Sequence, residues 1–308
     1  MKTVGLIGAR GHVGKELAAI VSRRDDLELV YASSRSLAGE PVASGGGTLR
    51  FEALSPEDAA AKAADAVVLA LPNGQAPAWA EAIHAERPDA VIVDLSADFR
   101  FDDQWLYGLP EIYGRDQHPG AVRISNPGCY ATAGQLCVAP VRERLARPAN
   151  LFGVSGYSGA GTMPSRKNDS AALADNLMPY GLAGHAHEAE MSRHLGSEVR
   201  FSPHVAAFFR GLTVTAQLEF DTPVEREALI EAYRAFYDGE ALIEVRDTTP
   251  EIRDGAFAPG AVIGGFALGE DGPRAVVVCA LDNLLKGAAV QAVQNLALAL
   301  GLPEQAGL

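Results

Sequence analysis

Apolar positions follow two different rhythms along this chain. Up to about Ser125, short runs rich in Val, Ile and Leu alternate with a turn containing Gly, Pro or Ser and then an amphipathic stretch. This βαβ rhythm predicts strands at residues 3–8, 27–32, 66–71, 90–95 and 121–125, with helices at 13–23 and 77–86. Continuous apolar character suits parallel strands covered on both faces. Right-handed crossovers between them make an open twisted sheet whose ligand crevice lies beyond the carboxyl ends of the strands. Chemistry is therefore expected in the loops that follow those strands.

Beyond about Cys129 the candidate strands lengthen, to residues 212–220, 261–268 and 274–281. Gly269-Glu270-Asp271-Gly272 separates the last two as a turn, which predicts an antiparallel hairpin. A helix over 224–237 places Leu229, Ile230, Tyr233 and Phe236 on one face. A final Ala- and Leu-rich helix over 284–300 is expected to pack back on the first domain. The fold class expected is α/β: a Rossmann-type parallel-sheet domain, 1–128 plus 284–308, and an α+β domain, 129–283, with a largely antiparallel sheet. No internal repeat or low-complexity tract interrupts it.

Composition narrows the setting. The 308 residues exceed a single domain of roughly 100–200 residues, and 48% hydrophobic with 21% charged residues is ordinary globular usage. No apolar run approaches the ~18 residues of a membrane span, and Met1 leads into a strand without a signal-peptide pattern, so a cytoplasmic protein with no membrane partner is expected. A net charge of −13 without a basic block argues against nucleic acid. The three cysteines, Cys129, Cys137 and Cys279, fit neither a disulfide framework nor a four-ligand zinc site, and reduced thiols are expected.

Gly8-Ala9-Arg10-Gly11-His12-Val13-Gly14 follows the first predicted strand and opens the first helix. Glycines there allow a tight turn and let a pyrophosphate approach backbone N–H groups at a helix N-terminus. The spacing is G-x-x-G-x-x-G, and a plain strand-to-helix turn is the alternative. The second strand ends in Ala32-Ser33-Ser34-Arg35-Ser36, with no carboxylate to hold ribose hydroxyls. Ser34 and Arg35 suit a 2′-phosphate, which predicts NADP(H) over NAD, against the alternative of a solvated turn arginine.

Ser125-Asn126-Pro127-Gly128-Cys129-Tyr130 puts a cysteine after a predicted strand and at the start of a helix, where the dipole favours a thiolate. Cys137 and Cys279 lie inside apolar patterns and are read as small buried hydrophobes. A thiolate needs a proton partner, and Gly184-His185-Ala186-His187-Glu188 carries two histidines. Surface-loop histidines or an H-x-H metal site are the alternatives; no third ligand at a recognisable spacing accompanies them, so no metal is expected.

The stretch Ile124 to Pro140 resembles the signature around the active-site cysteine of N-acetyl-gamma-glutamyl-phosphate reductases. Segments in family order run the length of the chain, among them Leu69-Ala70-Leu71-Pro72-Asn73-Gly74, Asp94 to Arg100, Ser155 to Gly161, Asn176 to Tyr180, Arg210-Gly211 and Asp282 to Gly287. The resemblance implies that the α+β domain carries catalysis and subunit contacts, that Cys129 is the nucleophile and that His187 is the general acid/base. Gly8, Arg10, Gly11, His12, Val13, Gly14, Ser34, Arg35, Pro72, Ser158, Gly159, Ala160 and Asn283 are expected to bind the cofactor. Arg100, Arg123, Arg166 and Arg210 are candidates for the substrate's phosphate and carboxylate; Arg100 and Arg210, with Asn126, fall in family-like segments. Two departures stand out: Ala186 replaces the usual arginine between the histidines, and Asn73 the histidine usual after Leu-Pro.

The implied activity is NADPH-dependent reduction of a small acyl phosphate to an aldehyde through a Cys129 thioester, in arginine biosynthesis, by a homo-oligomer, dimer or tetramer. A paralogue acting on carrier-bound aminoadipyl phosphate shares the N-P-G-C core, but its acidic carrier calls for a basic entrance. Aspartate-semialdehyde dehydrogenase has a different cysteine motif. A catalytically silent NADP-sensing regulator would bind cofactor yet survive loss of Cys129.

Overall fold

A computed structural model describes residues 1–42, 49–270 and 272–308. The chain divides into two compact units, Met1–Gly128 with Ala288–Leu308, and Cys129–Gly287.

The first unit is built on seven strands among the described residues: β1 Lys2–Ile7, β2 Leu27–Ser33, β3 Phe51–Glu52, β4 Ala66–Leu69, β5 Val91–Asp94, β6 Leu106–Tyr107 and β7 Arg123–Ser125, in the order β3-β2-β1-β4-β5-β7-β6. Every pairing is parallel. β4 and β5 are buried throughout, as their unbroken apolar runs predict. The order reverses direction at β1, so the loops after β1 and β4 flank the switch point where such sheets bind ligands. The short edge strands β3 and β6 carry little pattern and were not expected.

Helices α1 His12–Ser22, α2 Pro56–Ala61, α3 Ala76–Glu86 and α4 Pro110–Tyr113 connect the strands. α2 starts on a capping box, Ser55 and Asp58 satisfying each other's backbone N–H groups, with Pro56 in the first turn. The last helix of the chain, Val290–Ala299, belongs to this unit and buries Gln291, Gln294 and Asn295 together with its apolar residues. Those amides find partners: Gln291 donates to the Gly108 carbonyl, Gln294 to Glu111, and Asn295 to the Gly108 carbonyl and to Asn126 Oδ1. Each would be costly to bury otherwise.

The second unit carries β8 Ala149–Gly156, β9 Leu177–Pro179, β10 Val199–Ala206, β11 Leu212–Glu219, β12 Ile243–Val245, β13 Ala261–Leu268 and β14 Arg274–Leu281, ordered β12-β13-β14-β11-β8-β10-β9. β8/β10 and β12/β13 pair in parallel, the other neighbours antiparallel. β13 and β14 form the expected hairpin; Asp271 of its expected turn lies outside the described residues. Helices α5 Cys129–Val138, α6 Ser170–Leu173, α7 Ala186–Leu195, α8 Arg226–Phe236 and α9 Ile252–Gly255 complete the unit. α5 lies on β11 and β14, and α7 packs on α5 and β10. The helical run expected over 284–300 is present as an unbroken run that opens with a π turn, Leu285–Ala289, and continues directly into the last helix, here α10.

Candidate active site

Burial singles out one residue. From Ile124 to Ala139 every side chain is buried except Cys129, the first residue of α5. The opening amides of that helix point towards the thiol's end, where the helix dipole favours negative charge. A glycine is required opposite: a Cβ on Gly287 would sit 2.7 Å from the Cys129 Cβ. The π turn that contains Gly287 is anchored by Asp282, whose carbonyl accepts the Gly287 N–H at 2.9 Å and whose carboxylate accepts those of Leu284 and Leu285. Cys137 and Cys279 are buried, as expected of structural thiols; burial, then the hydrogen bond between them, pushes the Cys137 thiol up.

The histidine pair opens α7. His185 is its N-cap, and its Nδ1 accepts the His187 backbone N–H at 3.1 Å. That bond requires an unprotonated Nδ1, in keeping with a pKa that burial first, and Lys167 second, hold below the usual histidine value. The Tyr130 ring, one residue after Cys129, meets the His187 ring edge-on at 6.0 Å, and the two histidine rings lie 4.8 Å apart. The packing of α7 on α5 therefore brings the His187 turn beside the start of the cysteine helix.

Three further groups here fall in family-like segments, but the sequence assigned them no role. Glu190 is a buried carboxylate three residues after His187, hence on the same face of α7. Tyr180 packs edge-on against His185 at 5.6 Å. Burial, and then the neighbouring Cys129, push the Tyr180 phenol up; burial, Tyr180 and Cys129 do the same to Tyr130. The contacts of Tyr180 and Tyr130 with the histidines join elements distant in sequence, which no local pattern encodes.

Ser158 and Asn283 meet: the Asn283 amide donates to Ser158 Oγ at 2.8 Å and its Oδ1 accepts the Gly211 N–H. Gly159 and Ala160 share the short helical turn of Ser158, and a Cβ on Gly159 would lie 3.6 Å from the Asn283 amide. The arginines expected to hold substrate are engaged within the protein. Arg210 forms a two-pronged ion pair with the fully buried Asp282, at 2.6 and 3.1 Å, with the Phe257 ring stacked on its guanidinium. In the first unit, Arg100 is buried and donates to the carbonyls of Asn126 and Leu95. The Asn126 amide is likewise bound, to Asn295 and the Ala288 carbonyl. These contacts brace the turn that delivers Cys129. Arg123 bonds His84 and Gln104, and Arg166 is exposed.

The glycine loop between β1 and α1 has the form a dinucleotide phosphate needs. Gly8 sits at φ +82°, and a Cβ there would lie 2.1 Å from the Ala70 carbonyl oxygen; one on Gly14 would fall 2.7 Å from Ala9. Gly11 caps α1 without a side-chain hydrogen bond, which leaves His12, Val13 and their neighbours to present N–H groups to an anion. Burial, then Lys15, lower the His12 pKa. At the end of β2, Ser34 is buried and Arg35 exposed, and Arg10 reaches across to donate to Ser36 Oγ at 2.9 Å. Pro72 is exposed in the loop after β4, where Asn73 accepts the Ala97 N–H.

Two domain families match the chain: the semialdehyde dehydrogenase NAD binding domain over residues 3–119 and the semialdehyde dehydrogenase dimerisation domain over 129–283. Solved structures agree on the fold. Aspartate semialdehyde dehydrogenase II from Vibrio cholerae superposes with a TM-score of 0.79 at 18% identity over 97% of this chain and 98% of its own. The Candida albicans aspartate semialdehyde dehydrogenase with NADP gives 0.70 at 15% identity over 96% and 98%. Site and fold together define an oxidoreductase of the semialdehyde dehydrogenase class.

Sequence relatives resolve the class further. N-acetyl-gamma-glutamyl-phosphate reductase from Xanthomonas campestris pv. campestris (strain 8004) is 54% identical over 98% of this chain and 96% of its own length. The proteins of that name from Stenotrophomonas maltophilia (strain R551-3) and Xylella fastidiosa (strain M23) are 53% and 51% identical over 98% of this chain and 96% and 93% of theirs. The chain belongs to the N-acetyl-gamma-glutamyl-phosphate reductase family.

Proposed function

We propose that this chain reduces N-acetyl-gamma-glutamyl phosphate to N-acetylglutamate 5-semialdehyde and phosphate with NADPH, through a thioester on Cys129, in arginine biosynthesis. The observation that carries the reading is the single half-exposed thiol at the head of an otherwise buried helix, with the His187 turn packed beside it. His187 takes the Cys129 proton; the thiolate adds to the acyl carbonyl, a C–S bond forms, and the C–O bond to phosphate breaks. Backbone N–H groups at the start of α5 stabilise the oxyanion, a contribution of about 3 kcal/mol per donor. NADPH, when bound, supplies the hydride that reduces the thioester. His187 then returns a proton as the C–S bond breaks and aldehyde leaves.

Gly8, Arg10, Gly11, His12, Val13 and Gly14 would hold the cofactor's phosphates, Ser34 and Arg35 its 2′-phosphate, and Pro72, Ser158, Gly159, Ala160 and Asn283 its remaining parts. The steric need for glycine at positions 8 and 14 supports that fit. Arg100, Arg210 and Asn126 serve in this reading by holding the cysteine turn and the π turn in place. A homo-oligomer is proposed from the dimerisation-domain match. No helix among the described residues is long and apolar enough to cross a membrane, and a cytoplasmic enzyme accompanies the reading. Carrier-bound aminoadipyl phosphate is not favoured, since the relatives at 51–54% identity bear the acetylglutamyl name.

The test is phosphate-dependent reduction of NADP by N-acetylglutamate semialdehyde, beside the aminoadipate analogue. Activity with the former, lost in Cys129→Ser and reduced at least about a hundredfold in His187→Ala, is expected. Preference for the analogue would overturn the substrate, and an active Cys129→Ser the mechanism.

A further inference from the structure

The substrate proposed above carries two anionic ends, a phosphate and an α-carboxylate, and Arg100 and Arg210 each commit at least two donors to internal partners. Another cation faces the cysteine neighbourhood. Lys167 is half-buried, and its Nζ lies 4.8 Å from the centre of the Tyr180 ring. Tyr180 in turn meets His185 at 5.6 Å, which meets His187 at 4.8 Å, which meets Tyr130 at 6.0 Å. Tyr180 also hydrogen-bonds Tyr130 and feels the Cys129 thiolate, so Lys167, seated on the Tyr180 ring, lies at the edge of the group of side chains next to Cys129.

Its turn is held in place rather than left to solvent. Asn168 Nδ2 donates to the carbonyls of Gly161 and Met163, and Asn168 Oδ1 accepts the Ser165 N–H. These bonds fold residues 161–168 back on themselves. Lys167 makes no ion pair among the described residues, and its charge is felt at His185. An ammonium set on an aromatic face, with its stem half-buried and no carboxylate engaged, keeps its donors for an incoming anion.

We propose that Lys167 is a specificity-determining residue that receives one anionic end of the substrate, its phosphate or its α-carboxylate, beside Cys129. The assignment rests on the reductase reading. It is tested in the reverse direction by measuring the KM for inorganic phosphate and for N-acetylglutamate semialdehyde separately, in wild type, Lys167→Met and Lys167→Arg. Lys167→Met is expected to raise one of the two constants about tenfold or more, with kcat within about threefold, and Lys167→Arg to restore most of the loss. A shift for phosphate identifies the phosphate end, and one for the semialdehyde the carboxylate end. An active wild type with both constants unmoved in Lys167→Met overturns the assignment alone, as does an arginine variant as impaired as the methionine one. An inactive wild type overturns the reductase reading and this assignment with it.

Discussion

Gly287→Ala tests how closely the π turn and the cysteine helix are fitted. A Cβ at 287 would lie 2.7 Å from the Cys129 Cβ and 3.3 Å from its Cα. Non-bonded carbon atoms settle at about 3.5–4.0 Å, so one side must give by roughly 1 Å. The π turn cannot retreat freely, because the Asp282 carbonyl holds the Gly287 N–H and its carboxylate is fixed by Arg210 and by the N–H groups of Phe257, Leu284 and Leu285. Cys129 is the residue that moves, and a displacement of about 1 Å at a reacting atom costs on the order of a hundredfold in rate. Overpacking should also lower stability by about 1–3 kcal/mol. Steady-state kinetics of the reverse reaction, read beside a thermal melt and the iodoacetamide alkylation rate of Cys129, measure both. A Gly287→Ala enzyme with kcat/KM within about threefold of wild type would refute the argument.

Other outcomes follow from the same geometry. Arg210→Met should lower the unfolding free energy in urea by about 3 kcal/mol, because it strips the guanidinium from a carboxylate that is fully buried; a loss below about 1 kcal/mol would contradict it. Burial raises the Asp94 carboxyl to about 6, against the hydrogen bonds it accepts from Ser96. The protonated form is thus favoured in the fold: its stability is fully present below about pH 4 and is lost as pH rises through about 6. Asp94→Asn should melt like wild type at pH 4 and be more stable by about 2–3 kcal/mol at pH 7, and a pH-independent difference would refute this. Arg35→Asp should weaken NADPH binding, followed by nucleotide fluorescence, about tenfold or more while leaving NADH unchanged; equal effects on both nucleotides would remove the 2′-phosphate assignment.

The parallel strands were legible because burial on both faces leaves unbroken apolar runs, as at β4 and β5. The loop at Gly8–Gly14 was legible because only glycine tolerates its backbone and its close neighbours. β3 and β6 were not, since edge strands of two residues carry no period. The final helix read as one run, because Ala and Leu suit an α-helix and a π turn alike; only the Asp282 anchor and the proximity of Cys129 to Gly287 distinguish the two.

Local chemistry, by itself, determined which side chains could react: a cysteine at a helix start and a histidine pair at another are recorded in neighbouring residues. Whether a given arginine meets solvent, substrate or a buried carboxylate is not, because its partner comes from elsewhere in the chain. Arg210 is matched to Asp282, and Lys167 is carried to Tyr180, only when the second sheet and its helices have packed. The physical reason is range: dipoles, caps and strained dihedrals act within a turn, whereas charge pairing and desolvation depend on what folding brings within a few ångströms.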